Sequence, residues 1–219
     1  MKEGDFIRID FVGKIGGSDE IFDLTKENIA KEKEIHNPNY RYGPVPVILG
    51  AHHVVKGLEN ALMKMKVGEK KKITVKPEDA LGERKSELIH LIPLTEFKKR
   101  DIDPFPGMPI VQNNMRGRVL SVSGGRVRID FNHPLAGKTL EYEVEVKGKI
   151  TTVKEKIMAI LELFLRYEKD EINVKIEKET LEIKIDKKKD VPKTIKRVIA
   201  DNATKWIKTI KKVRYIEEF

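Results

Sequence analysis

Alternating polar and apolar residues open the chain and predict a β-hairpin. Residues 6–12 (FIRIDFV) place Ile7, Ile9 and Phe11 on one side, as expected of a strand with one apolar face. A turn signal, Gly16-Gly17-Ser18-Asp19, follows this run. Residues 20–23 form the predicted return strand.

The hydrophobic period becomes that of a helix after Gly50. Apolar residues from Leu58 to Met65 recur at i, i+3, i+4 and i+7, which is one face of an amphipathic helix. The helix is predicted to begin at Gly57 and to be capped by Gly68, where a left-handed residue is needed. Residues 70–75 alternate again and predict a half-buried strand.

The segment between the hairpin and this helix, residues 24–46, is polar and contains residues that interrupt regular structure. Gly43-Pro44 and Pro46 predict that no regular element persists there. Tyr40 and Tyr42 are interpreted as packing residues, and a position on the rim of a pocket is the alternative.

Beyond Gly82 the composition shifts and the pattern predicts further strands. Two alternating segments, RGRVLSV and RVRIDFN, are joined by Ser123-Gly124-Gly125 and predict a strand pair. Residues 140–146 alternate as well and predict a further strand. Prolines and glycines interrupt the segment near both of its ends.

Residues 152–219 predict a separate unit in the order α-β-β-α-β. Thr152 and Glu155 form a capping-box pattern, and Asp190 is a candidate N-cap for a second helix whose apolar positions reach Ile210. A unit of this size buries only about 60% of its chain surface. Its first helix is apolar around more than half of its circumference. We therefore expect the unit to form a homodimer or to hold client protein.

Composition narrows the function classes. The chain has no cysteine, so disulfide and thiolate chemistry are excluded. No apolar run is long enough for a membrane span, and the N-terminus lacks a signal-peptide pattern, which predicts a cytoplasmic protein without a membrane partner. The formal net charge is +9, but both signs are mixed along the chain. We interpret the charge as a solvated surface, and nucleic-acid binding is the minority interpretation.

The identities of the residues in the central stretch carry more information than their periodicity. V-x-G-L-E-x-A-L-x-x-M-x-V-G-E/D runs from Val55 to Glu69, and P-E-D-A-x-G runs from Pro77 to Gly82. Upstream lie Asp10-Phe11-Val12-Gly13 and Phe22-Asp23, and downstream lie Asn132-His133 and Leu135-Ala136-Gly137. Over residues 1 to about 151 the chain resembles the FKBP-type peptidyl-prolyl isomerases, most closely their SlyD-like branch in its long archaeal-type form with an extra C-terminal domain.

The resemblance implies an α+β fold, with an FKBP-like antiparallel sheet wrapped on a short helix. A small β domain is inserted in the flap, and the C-terminal α-β-β-α-β domain follows. The implied isomerase domain comprises residues 1–85 and 139–151, and the insert-in-flap chaperone domain comprises residues 86–138. Residues 152–219 are left for dimerisation or client binding.

The resemblance also implies the site, position by position. Asp23, Tyr142 and Phe22 are the implied catalytic residues, and Val55 is implied to offer its backbone N–H to the substrate carbonyl. Asp23 is implied to act by charge or hydrogen bonding rather than proton transfer. No cofactor is needed, because an apolar pocket can bind the twisted amide better than the planar one. The implied substrate-binding residues are Phe11, Val45, Val54, Val55, Leu58 and Leu81.

Two residues depart from the family pattern. Leu58 stands where the pocket floor is usually Trp, and Leu81 stands where Tyr is usual, which removes a hydroxyl that could bond the substrate carbonyl. No metal site is predicted. Adjacent His52 and His53 point apart in an extended loop, and the chain ends without the His- and Cys-rich tail found in SlyD-like proteins.

The sequence therefore predicts a peptidyl-prolyl cis/trans isomerase and folding chaperone that acts on Xaa-Pro bonds of unfolded or nascent polypeptides. Two alternatives stay open. One is a holdase whose isomerase activity is weak or vestigial, and the other is an RNA- or ribosome-associated binding module.

Overall fold

The computed structural model describes residues 1–165, 172–185 and 191–217, which form three sheets with helices packed on them. The mixture of helices and mainly antiparallel strands confirms the predicted α+β class. In chain order the elements are β1 (Phe6–Ile15), β2 (Ile21–Leu24), α1 (Glu27–Glu32), β3 (Val45–Ile48), α2 (Lys56–Lys64), β4 (Lys70–Val75), β5 (Ile89–Pro93), α3 (Leu94–Lys98), β6 (Pro109–Gln112), β7 (Met115–Ser123), β8 (Arg126–Asp130), β9 (Leu140–Ile150), α4 (Val153–Phe164), β10 (Ile172–Glu177), β11 (Thr180–Ile185), α5 (Lys193–Trp206) and β12 (Lys212–Glu217).

Strand β1 is the centre of the first sheet. It pairs antiparallel with β2, β3 and β9, and β9 pairs antiparallel with β4. Ile7, Ile9 and Phe11 share one buried core with Leu58 and Leu62 of α2. The spacing of the two leucines puts both on the face of the helix that the sheet covers. The predicted hairpin and amphipathic helix are therefore confirmed.

Strand β1 is buried on both faces, and the prediction of a single apolar face was wrong. Phe6 lies in a second core with residues of the C-terminal segment, and Val12 packs with Leu24 and Ala30. The polar residues of this face hide its burial in the sequence. Arg8, for example, is satisfied by Glu162, with 2.7 Å between Nη2 and Oε2.

Two predicted boundaries need correction. The helix α2 ends at Lys64, and Gly68 does not cap it, because Met65 is already extended and buried. Gly68 instead has a φ of +82° in the following turn and donates its N–H to the Val146 carbonyl. Residues 24–46, predicted to be irregular, contain α1 and the start of β3. Pro46 fits within β3 because, among the strands that the structure describes, only β1 pairs with β3.

The segment 86–138, called the insert below, has its own sheet in the order β5-β8-β7-β6. Its core residues, among them Phe97, Val127 and Ile129, do not belong to the core of the first sheet. The chain leaves and re-enters the first sheet at one place, since the Gly137 N–H donates to the Gly82 carbonyl at 2.8 Å. The two ends of the insert therefore lie close together beside the first sheet.

The residues after Ile150, called the tail below, follow in the order helix, strand, strand, helix, strand. Their sheet has the order β10-β11-β12, with β11 and β12 parallel. The predicted capping box is confirmed: the Glu155 N–H donates to the Thr152 hydroxyl, and the Glu155 carboxylate accepts the Thr152 N–H. The second helix begins at Lys193 and ends at Trp206, short of Ile210; Asp190 lies outside the described residues.

The tail shares a core with the outer face of the first sheet. Phe6, Ile48 and Ile150 of that sheet join Ile157 and Ile160 of α4 in one buried cluster, which also contains residues of α5. The apolar circumference of α4 is therefore covered within the chain itself. This removes the main reason for expecting a dimer, and the dimer itself stays a prediction.

No helix among the described residues is long and apolar enough to cross a membrane.

Truncating the shared core should weaken the whole fold. Ile160 is only 1% exposed, so Ile160→Ala is expected to lower the free energy of unfolding by about 2–5 kcal/mol through lost burial and a cavity. Urea denaturation followed by circular dichroism measures this. Val198→Ala on α5, where the side chain is 38% exposed, is the control and should change the value by no more than about 0.5 kcal/mol. Equal effects of the two variants would contradict the shared core.

Candidate active site

One row of residues crosses the first sheet and organises the candidate site. The register pairs Gly13 with Asp23 on one side and with Tyr142 on the other. Directly opposed residues in antiparallel strands point to the same face, so Asp23 and Tyr142 flank a position without a side chain. The ring of Phe22 occupies that space. A Cβ on Gly13 would lie 2.6 Å from its Cζ.

Three aromatic rings form the wall of this site. The ring of Tyr142 meets Phe22 edge-on, with centroids 5.6 Å apart, and is tilted against Phe11 at 6.1 Å. Phe11 and Tyr142 are buried, whereas Phe22 is only half-buried. The wall is therefore rigid at its base and open at its rim.

The Asp23 carboxylate lies at that rim. Its Oδ1 accepts a hydrogen bond from the Tyr40 hydroxyl at 3.1 Å, and the Tyr40 ring packs against Tyr42 with centroids 5.0 Å apart. Partial burial raises the pKa of the Asp23 carboxyl, although hydrogen bonds from Tyr40 and from the Leu24 backbone act in the opposite direction. The side chain remains open to solvent on one side.

The Tyr142 hydroxyl is a neutral donor that is open to a ligand. Burial, and to a lesser degree the negative charge of Asp23, raises the pKa of this phenol to about 12. The hydroxyl makes no hydrogen bond to any residue that the structure describes. The hydroxyl therefore stays protonated at physiological pH and can donate a hydrogen bond to a carbonyl oxygen.

The floor of the site is the start of α2. Leu58 is 1% exposed and belongs to the same core as Phe11 and Tyr142. Val55 is the N-cap residue of α2, and its N–H has no hydrogen-bond partner within the described chain. Among the described residues, this N–H and the Tyr142 hydroxyl are two donors of the site without a hydrogen-bond partner.

A buried carboxylate holds the loop that leads to this floor. Glu59 is 4% exposed, and its Oε1 accepts the backbone N–H groups of Gly50 and His52. Its Oε2 lies 3.1 Å from His52 Nδ1, while the ring of His53 contacts Phe164 of the tail. The two adjacent histidines thus have different partners. Within the described ranges no three His, Asp or Glu side chains are placed to hold a metal ion.

The structure brings most of the predicted site residues together, and their functional roles stay predictions. Phe11 and Phe22 contact the Tyr142 ring, and the register through Gly13 places Asp23 on the same face as Tyr142. Leu58 belongs to the same core as Phe11 and Tyr142, and the remaining valines pack on that core. Leu81 stands apart, because it is 39% exposed and only its neighbour Ala80 packs on that core. The three valines are Val45, Val54 and Val55.

Two further residues belong to the site, although the sequence did not identify them as site residues. Tyr40 was interpreted as a packing residue, yet it donates to Asp23. The only signal for it was an aromatic pair inside an otherwise polar loop. Gly13 belongs to the motif but was not assigned to the site, although it makes room for the Phe22 ring.

Comparisons with known proteins identify the family of the chain. Residues 90–135 match the family model described as FKBP26, IF domain, and residues 153–219 match the model FKBP26_C-terminal. The short-type peptidyl-prolyl cis-trans isomerase of Methanocaldococcus jannaschii is 35% identical over 147 residues, which cover 67% of this chain and 92% of that protein. The FKBP-type isomerase SlyD of Helicobacter pylori is 30% identical over 148 residues, covering 65% and 71% of the two chains.

An FKBP-type 16 kDa peptidyl-prolyl cis-trans isomerase of Escherichia coli is a further relative. It is 30% identical over 102 residues, which cover 45% of this chain and 68% of that protein. The sequence similarity to these relatives covers far more of the chain than the motif residues alone. By its motifs, its site and its relatives, the chain belongs to the FKBP-type peptidyl-prolyl cis-trans isomerases, in their SlyD-like branch.

Proposed function

We propose that this isomerase acts on Xaa-Pro bonds of unfolded and partly folded polypeptides and that it is also a folding chaperone. The observation that supports the first part most directly is the cluster of three aromatic rings on the core, beside two hydrogen-bond donors that have no partner among the described residues. A proline ring would pack against this cluster at Phe22, which is only half-buried.

The chemistry needs no nucleophile. Rotation about the amide breaks its resonance, with a barrier of about 18–20 kcal/mol, and the twisted amide is less polar than the planar one. An apolar pocket therefore favours the transition state over the ground state. The Val55 N–H can hold the peptide carbonyl while the proline ring rests on Leu58.

Tyr142 takes over a role that Leu81 cannot perform. The leucine has no hydroxyl and is 39% exposed, whereas the buried Tyr142 carries a hydroxyl without a partner among the described residues. Its donation to a substrate carbonyl would offset the departure from the family pattern. Asp23, with its carboxylate at the rim, would act on the polarised amide by charge.

The insert is the proposed capture site for clients. It exposes large apolar side chains, including Leu91 at 62%, Phe105 at 59% and Val111 at 71%. Because insert and first sheet are linked, a client bound by the insert would be presented to the pocket at a high effective concentration. The division into isomerase, chaperone and C-terminal domains is part of this proposal, as is a role for the tail in dimerisation or client binding.

A holdase with a weak isomerase site is the second candidate function. The exposure of Leu81 favours it, because that residue adds no group to the pocket. Comparison of aggregation suppression with proline turnover separates it from the first.

Removing the hydroxyl of Tyr142 should slow catalysis. For Tyr142→Phe we expect kcat/KM on a short Xaa-Pro peptide to fall about tenfold, which corresponds to the loss of about 1.4 kcal/mol of transition-state stabilisation. A protease-coupled isomerisation assay measures it. Tyr215→Phe is the matched control: that hydroxyl donates to the Lys196 carbonyl in the tail, and its loss should leave kcat/KM unchanged. Full activity of Tyr142→Phe would reject the proposed donor.

Asp23→Asn should separate activity from stability. If the charged carboxylate assists catalysis, turnover of the wild type falls as the pH falls through the pKa of Asp23, which lies above the ordinary 3.8, and the variant lacks this step. A raised folded-state pKa means that the ionised carboxylate opposes folding above that pKa. The variant should therefore be at least as stable as the wild type at neutral pH, and the difference should vanish below both pKa values. A less stable variant in urea at pH 7 would contradict the burial argument.

Replacing residues 86–138 with a short loop should remove capture and spare the pocket. The contact of Gly82 with Gly137 shows that the ends are close enough for such a loop, and the insert contributes nothing to the core around α2 apart from Leu135. We expect the shortened chain to turn over a short Xaa-Pro peptide at a similar rate and to lose most of its acceleration of proline-limited refolding. If refolding is accelerated equally by both chains, the insert has no capture role.

A further inference from the structure

One face of the insert sheet carries four arginines. Arg126 and Arg128 alternate along β8 with Val127 and Ile129, which are buried in the core of the insert. The side chains of the two arginines must therefore point away from that core. The register extends the same face to β7, since Arg118 is paired with Asp130, two residues beyond Arg128.

Arg116 lies two residues before Arg118 on β7 and completes the set. We call this surface, formed by Arg116, Arg118, Arg126 and Arg128, the arginine face. All four residues are exposed, and none makes an ion pair or hydrogen bond with the residues that the structure describes.

The carboxylate that the strand register places beside these arginines already binds another arginine. Asp130 is the acidic residue that the strand register places on this face, and its Oδ2 accepts hydrogen bonds from Arg84 at 2.7 and 2.9 Å. Burial acts to raise the pKa of Asp130, but hydrogen bonds from Asn132 and from Arg84 together lower it below its ordinary value. The positive charge of the arginine face is thus left without a counter-charge from the strands of its own sheet.

Exposed aliphatic side chains border the arginine face on both edge strands. Leu91 of β5 is paired with Arg128 and is 62% exposed, and Val111 of β6 is paired with Arg116 and is 71% exposed. The face therefore presents two cationic strands between two apolar edges.

The spacing of this face fits an extended polypeptide. Side chains two residues apart on a strand lie roughly 6.5–7 Å apart, both in the insert and in any extended chain laid on it. A client with carboxylates at alternate positions could pair each with one guanidinium, which binds carboxylates through two parallel hydrogen bonds. Nucleic acid fits less well, because no aromatic residue stands among the strand residues of this face to stack on a base.

We propose that the arginine face selects client segments in which Glu or Asp alternates with aliphatic residues. The proposal rests on the proposed client capture by the insert and adds the chemistry of the client to it. Contact with the apolar edges supplies affinity for unfolded chain in general, and the four guanidinium groups supply the preference for acidic segments.

The test uses the full chain and three short peptides of equal length without proline, so that the catalytic pocket makes no selective contribution. One peptide alternates Glu with Leu, and its twins carry Gln or Lys in place of Glu. Fluorescence anisotropy at low and high salt gives the dissociation constants. We expect the Glu peptide to bind about fivefold to tenfold more tightly than the Gln twin at low salt, as several exposed ion pairs allow. The Lys twin should bind more weakly than both, and the difference should shrink at high salt.

Two double variants locate the preference. Arg126→Gln/Arg128→Gln should abolish most of the advantage of the Glu peptide while leaving the Gln peptide bound as before. Lys98→Gln/Arg100→Gln removes the same amount of charge at the end of α3, whose Phe97 packs in the core on the opposite side of the sheet. This variant should still bind the Glu peptide more tightly than the Gln peptide. This control separates the arginine face from the general attraction of a chain with a net charge of +9.

Each failure has a distinct meaning. Equal binding of the Glu and Gln peptides, or equal loss in both double variants, would overturn the arginine face and leave client capture standing. Binding of none of the peptides would overturn capture itself. If a single-stranded RNA displaces the Glu peptide at lower concentration than the peptide's own dissociation constant, and does so only with Arg126 and Arg128 in place, the face is a nucleic-acid site and the proposal is wrong.

Discussion

The burial of β1 on both faces is the constraint on which the rest of the molecule depends. One face packs on α2 and the other on the tail, so the strand cannot shift its register without exposing two cores. Its neighbours β2 and β9 are fixed by hydrogen bonds to the same strand. Asp23 and Tyr142 therefore lie opposite Gly13 because β1 is immobilised from behind. The position of the site is a consequence of packing that lies outside it.

The site places a charged carboxylate next to apolar aromatic walls. The burial that would let this site favour a less polar, twisted amide, as proposed, also desolvates the Asp23 carboxylate and the Tyr142 phenol. The phenol tolerates this, because it only needs to remain protonated. The carboxylate tolerates it because one side stays open to water and because Tyr40 donates a hydrogen bond to it. The rim position of Asp23 is thus the compromise between a charged group and an apolar pocket.

Much of the architecture could be predicted from the sequence, because periodicity reports local burial directly. The amphipathic α2 and the capping box at Thr152 depend on neighbours within one turn, and both were predictable. The errors arose where a distant contact decided the outcome. Gly68 follows the helix by several residues because Met65 is drawn into the core, and Pro46 is tolerated because only β1, among the described strands, pairs with β3. The bond from Tyr40 to Asp23 spans 17 positions, and no local pattern encodes it.

The tail and the insert are attached to the first sheet by different forces. The tail shares an apolar core with it, and burial of that kind resists separation in proportion to its area. The insert has a core of its own, and Leu135 is its one described residue that packs on the core of the first sheet. The other contacts at its base are polar, chiefly Arg84 with Asp130 and Lys85 with Asn132. Exposed polar pairs of this kind contribute about 1 kcal/mol or less each. The tail therefore belongs to the scaffold that fixes the site, whereas the insert has the weaker attachment, which is what a surface must have if it is to hand a bound chain to a pocket beside it.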